Sequence, residues 1–170
     1  MGYIKSLKIT ELSEKNKEDL EELISVTEKN IKNELFWLPI SEESRTHFFD
    51  KNWTYFLGLY SDDELIASGA LFFNENEYGE NILYLDKLEG RIAEIGRLMV
   101  LPKYRNRGYI KQILIELVKQ AKKCGINYLI ATAHPNNIAS CKVLKSIGME
   151  IRNSCVKLDK YDRHIFVMQI

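Results

Sequence analysis

Apolar residues recur at Ile110, Ile113, Leu114, Leu117, Val118 and Ala121, one face of a helix, while lysines and Glu116 fill positions between them. Gly125 ends that helix. Residues 93–100 before it predict a strand, and 127–133 after it form a continuous apolar run, the pattern of a strand covered on both faces. A helix between two parallel strands makes a right-handed βαβ unit. Upstream, 3–10 predicts a first strand, and Leu20, Leu23, Ile24, Thr27 and Ile31 predict an amphipathic helix capped by Asn16. Pro39 interrupts the apolar segment 35–40, and Ser41 with Glu42 and Glu43 opens a further helix through His47 and Phe49. Segments 54–60 and 65–73 are β-branched and aromatic, a hairpin turning at 61–64. Residues 74–80 read as a polar, acidic turn region, and 82–85 as either a short strand or the close of a loop. Downstream, Asn137 caps a helix whose Ser140, Val143, Leu144 and Ile147 face one way until Gly148. Segments 149–156 and 164–170 then predict a closing antiparallel hairpin around a loop at 157–163.

Composition narrows the setting. With 170 residues the chain is long enough for one domain with a full core. Lysine and arginine total 24, as do aspartate and glutamate, so no overall field recruits nucleic acid or an acidic membrane. Cys124, Cys141 and Cys155 are an odd set without paired spacing, and His47, His134 and His164 are scattered, which gives neither a disulfide framework nor a metal site. No apolar run approaches the roughly eighteen residues of a membrane span, and the expected location is a reducing cytoplasm.

The chemistry concentrates where the central helix begins. A turn that feeds a helix leaves its first N–H groups without intrahelical partners, and with the macrodipole they favour an anion. Lys103, Arg105, Arg107, Lys111, Lys119, Lys122 and Lys123 are opposed between 101 and 123 only by Glu116, which favours phosphate over carboxylate. Gly108 lets backbone approach a ligand closely. The stretch lacks the lysine and hydroxyl ending of a nucleoside-triphosphate loop and the three spaced glycines of a dinucleotide site.

The segment 100–108, Val-Leu-Pro-Lys-Tyr-Arg-Asn-Arg-Gly, resembles the acyl-CoA-binding strand and loop of the GCN5-related N-acetyltransferases, whose hallmark is Arg/Gln-x-x-Gly-x-Gly/Ala. Arg105 and Gly108 match, and Ile110 stands where the family has a small residue. Asn137-Ile138-Ala139-Ser140, followed by Lys145, Gly148 and Met149, resembles the family's later Asn-x-x-Ala/Ser helix. The resemblance implies a single α/β domain over 1–170, with a CoA-binding core at 91–150. Its mixed, mostly antiparallel sheet would be splayed between two parallel central strands and flanked by helices.

The implied activity is transfer of an acetyl group from acetyl-CoA, without a metal, to a primary amine of a small molecule or peptide. Backbone of Leu98, Met99 and Val100 would hold the pantetheine arm. The amides of Arg105, Asn106, Arg107, Gly108, Tyr109, Ile110 and Lys111 would cradle the pyrophosphate, with Asn137 and Ser140 near the thiol. Glu94, at the offset of the glutamate of the family's histone-acetylating branch, is the candidate base. His134, at the carboxyl end of a parallel strand, is a second candidate for proton transfer. Leu144 occupies the position where many relatives carry a tyrosine acid. That departure leaves a non-catalytic acyl-CoA sensor, or another acyl donor or acceptor, as alternative readings. Phe36, Trp37 and Leu38 form either a pocket wall or core, and Glu75, Glu77, Glu80, Asp86 and Glu89 either rim a site for a cationic amine or make a solvated surface. An edge strand near the C-terminus leaves a homodimer open.

Overall fold

The apolar runs assemble into one mixed sheet. The structure is a computed structural model and describes residues 5–170, so Tyr3 and Ile4 of the expected first strand lie outside the described residues. Seven strands are found there: β1 (Leu7–Glu11), β2 (Thr54–Ser61), β3 (Glu64–Phe72), β4 (Ile92–Val100), β5 (Tyr128–Ala133), β6 (Glu150–Lys157) and β7 (Tyr161–Gln169). They are hydrogen-bonded in the order β1-β2-β3-β4-β5-β7-β6. Pairing is antiparallel except between β4 and β5. Five helices accompany them: α1 (Lys17–Lys29), α2 (Glu42–Thr46), α3 (Glu75–Ile82), α4 (Tyr109–Lys123) and α5 (Ile138–Ser146).

β3 is buried at every position from Leu65 to Phe72, so both its faces are covered. α1 brings Leu20, Leu23 and Ile24 to the core, and α4 brings Ile113, Leu114, Leu117 and Ala121. Gly69 lets α4 approach: a Cβ there would stand 2.8 Å from Ile113 Cγ2 and 2.9 Å from Leu98 Cδ2. The sheet and the βαβ unit agree with the sequence expectation.

Three segments differ from it. Residues 75–82 are helix, not turn. Their apolar pattern is thin, yet Asn74 caps the helix by accepting from the Asn76 N–H at 2.9 Å, and Tyr78 docks on Ile130 and Val167. The C-terminal hairpin turns within 158–160, because Leu158 and Asp159 adopt φ of 47° and 59°. β7 therefore starts at Tyr161, and the charged Lys157 and Arg163 lie on strands instead of in a loop. α2 also stops short of the expected end, at Thr46.

Two irregularities in β4 shape the surface. Its register against β3 shifts between Ser68 and Ala70, and Arg97 at that bulge has φ of 52°. On the other side, β4 pairs with β5 only from Ile92 opposite Tyr128 to Ile95 opposite Ala131. Beyond that point β5 continues with β7 alone, up to Ala133 opposite His164. The parallel pair opens like a wedge over the second half of β4.

Candidate active site

Two cavities occupy the wedge and meet at Leu98 and Ser140, which line both. The first, about 300 Å³, lies between the end of β4 and the start of α4. Leu98 and Val100 line it from the strand, every residue from Tyr104 to Lys111 lines it from the turn, and Ala139, Ser140 and Val143 close it from α5. Gly108 is the N-cap of α4 with φ of 77°, and no side chain caps the helix. A Cβ on Gly108 would meet nothing within 4 Å, so open space stands in front of the first-turn amides. Asn106 also has positive φ, 61°, which turns successive amides toward one side.

The side chains of this turn divide. Arg107 folds back, its guanidinium donating to the Lys103 carbonyl at 3.3 Å and standing 5.5 Å from the Tyr104 ring centre. Lys103 pairs with Glu64 at 2.8 Å. Ile110 packs partly against the core, so its bulk serves the helix seat. Met99 is buried and lines neither cavity.

The second cavity, about 270 Å³, is floored by Glu94, Ile95, Gly96 and Arg97. Phe36, Trp37 and Leu38 form one wall, and Trp37 packs against the core as well. The wall is held by two arginines: Arg97 donates to the carbonyls of Leu38 (2.9 Å) and Pro39 (3.4 Å), and Arg163 to that of Leu35 (2.8 Å). Arg97 also stacks 5.3 Å from the Trp37 ring centre. Of the acidic side chains noted in the sequence, Glu77 and Glu80 line the cavity. Glu75, Asp86 and Glu89 are exposed elsewhere.

Burial pushes the Glu94 carboxyl up to about 7, with Lys157 and Arg97 pulling it down and Glu77 adding to the rise. The wholly buried amide of Asn81 lies beside it. A carboxyl poised there can accept a proton near neutral pH. Leu144 lines the same cavity and is buried, so α5 offers no hydroxyl at that position.

Two other sequence candidates serve the scaffold. Asn137 caps α5, its side-chain oxygen accepting from the Ser140 N–H at 3.2 Å, and lines neither cavity. His134 is buried, lines neither cavity, accepts from the Asn136 N–H at Nδ1 (3.0 Å) and packs 5.2 Å from Phe36. Cys141 donates to the His134 carbonyl, and burial pushes its thiol up, away from nucleophilic use. Lys157 and Arg163, which line the second cavity, are the residues the sequence reading passed over.

The site is thus a mixed sheet opened by a parallel wedge, with a helix N-terminus at one end and a carboxyl at the other. The sequence matches the model of the acetyltransferase (GNAT) family over residues 18–149, and the chain belongs to that family. Among curated proteins nothing matches. Solved structures do: Arabidopsis thaliana NAA60 in complex with a bisubstrate analogue superposes with a TM-score of 0.73 at 16% identity, covering 97% of this chain and 98% of that one. The ribosomal-protein-S18-alanine N-acetyltransferase of Escherichia coli gives 0.71 at 14% identity, covering 97% and 94%. An Arabidopsis thaliana NAA60 structure in complex with acetyl-CoA gives 0.73 at 16%, covering 97% and 99%. At such identities the likeness is one of fold. Among the described residues no helix is long and apolar enough to cross a membrane, and no group of three His, Cys, Asp or Glu is placed to hold a metal.

Proposed function

We propose that this protein transfers the acetyl group of acetyl-CoA to a primary amine of a small molecule or peptide. The observation that carries the reading is the junction at Leu98 and Ser140 of a cavity fronting uncapped amides and a cavity floored by Glu94. Acetyl-CoA is a substrate with two ends to be held, a diphosphate and a thioester; the first cavity offers amides to the one and opens at Leu98 and Ser140 toward Glu94 for the other. The amides from Arg105 to Lys111 meet the diphosphate, with Arg105 and Lys111 adding positive charge. The unpaired edge of β4 at Leu98, Met99 and Val100 offers backbone groups to the pantetheine arm.

Glu94 takes the proton of the incoming ammonium, directly or through one water, leaving a neutral nitrogen to attack the thioester carbon. The new C–N bond forms as the C–S bond breaks, and the departing thiolate takes up the proton that the attacking nitrogen sheds on becoming an amide. Ser140, which lines both cavities, is the hydroxyl we assign to hydrogen-bond that sulfur. His134 backs the Phe36 wall and the α5 entry.

Isothermal titration with acetyl-CoA, followed by thiol-release assays across an amine panel, tests the reading. Binding with turnover supports it; absence of binding by folded protein overturns it. Leu144 in place of a hydroxyl favours one second reading, an acyl-CoA sensor, whose signature is binding with no thiol released by any amine.

A further inference from the structure

The second cavity carries charge of both signs. Arg97 and Arg163 spend donors on the carbonyls of the Leu35–Pro39 wall. Lys157 does not: only 7% exposed, its ammonium has no carboxylate within 4 Å and no hydrogen-bond acceptor among the described residues. Glu94 likewise makes no ion pair there, and Lys157 is the strongest opposing charge it feels. The ammonium opens into the cavity with no protein partner among the described residues, so a ligand that brings a counter-charge finds an unspent donor there. An amine alone does not supply it, because a cation beside Glu94 would face Lys157 as a like charge. A ligand with an anion at its far end satisfies both groups.

We propose that the acceptor is an amino-acid-like zwitterion, a small primary amine whose own carboxylate is held by Lys157 while its nitrogen faces Glu94. The cavity, about 270 Å³, is that of a single small molecule and lies below the roughly 300–1,000 Å³ of sites for drug-sized ligands. One unpaired ammonium matches a singly charged carboxylate in charge. The assignment deepens the acetyl-transfer reading and rests on it for the role of the amine, but the carboxylate contact can be read without turnover.

The test is calorimetric titration of the twenty L-amino acids, their carboxamides, putrescine and phosphoethanolamine into protein saturated with CoA. The expected result is that at least one amino acid binds, that its carboxamide binds about tenfold or more weakly, and that Lys157→Met and Lys157→Gln bind the two forms alike. The carboxamide comparison needs no variant, so it stands even where a substitution unfolds the hairpin. Equal binding of acid and amide, tighter binding of putrescine or phosphoethanolamine, or binding of no amino acid overturns the proposal. Should amino acids bind in this way while no amine releases thiol, the carboxylate site stands and the transfer reading falls.

Discussion

Arg97 donates to the carbonyl of Leu38 across 2.9 Å, from the bulge of a central strand to an irregular segment 59 residues earlier in the chain. The bulge aims the guanidinium, and the guanidinium fixes the wall of the second cavity. Replacing it, Arg97→Met, keeps the apolar stem and removes both carbonyl contacts and the stacking on Trp37. The part-buried bond from this charged donor to Leu38 is worth about 1.5–3 kcal/mol and the exposed, long Pro39 contact adds little, so a loss of about 2 kcal/mol of stability is expected. The acceptor KM should rise about tenfold while acetyl-CoA affinity holds. Limited proteolysis should find new cuts near 34–41; a wall as resistant as in the parent protein would rule out the pinning role.

Glu94 links pH to both rate and stability. Its carboxyl is raised from 4.5 to about 7, so the base is lost as pH falls below 7, and kcat/KM should drop about tenfold per unit there. Glu94→Gln should remove that limb and lower kcat by about 10² to 10⁴-fold with acetyl-CoA binding unchanged. For stability, a raised folded pKa favours the protonated form, a contribution present below 4.5 and lost as pH rises through 7. The variant should therefore be more stable than the parent at pH 8, by on the order of 2 kcal/mol, and similar at pH 4. Unchanged turnover at pH 8 would take Glu94 out of the reaction.

Gly108 separates backbone strain from charge. At φ of 77° with nothing near the added Cβ, Asn is tolerated as the side chain most at ease in the left-handed region. Gly108→Asn should bind CoA within about tenfold of the parent, and Gly108→Asp, nearly the same shape, should lose on the order of 100-fold through repulsion of the diphosphate. Titration calorimetry decides it, and equal affinities would move the diphosphate away from the α4 N-terminus.

Much of this was legible in the chain itself. Ile113, Leu114 and Leu117 at helical spacing, between two apolar strands, fixed the βαβ core, and Gly108 marked the turn. Glu94 could be placed on its strand by offset from that turn. What escaped was decided by tertiary contacts. α3 has too few apolar residues to show a period, and forms because Asn74 caps it and Tyr78 finds Ile130. Lys157 and Arg163 looked like loop charges, since nothing local reports that a hairpin will fold two cations inward. His134 reads as a proton carrier by its place at a strand end, and its contact with Phe36, 98 residues earlier in the chain, is not legible there.

Tyr60 ties α1 to the sheet on the side away from the chemistry. Its hydroxyl donates to Asp19 at 2.6 Å and accepts from the Asn16 amide at 3.0 Å, and burial, then the Asp19 bond, push it up to about 12 from 10.0. The protonated phenol is therefore the form the fold prefers. Its contribution is full below pH 10 and disappears as pH rises toward 12. Because the ring is only half-buried, solvent screening reduces the contribution to about 1–2 kcal/mol. Tyr60→Phe should cost that amount at pH 7 in urea unfolding, and the gap between parent and variant should close between pH 10 and 12. A gap that stays constant to pH 12 would mean that the phenol does not titrate with the fold, and that the α1 contact is packing alone.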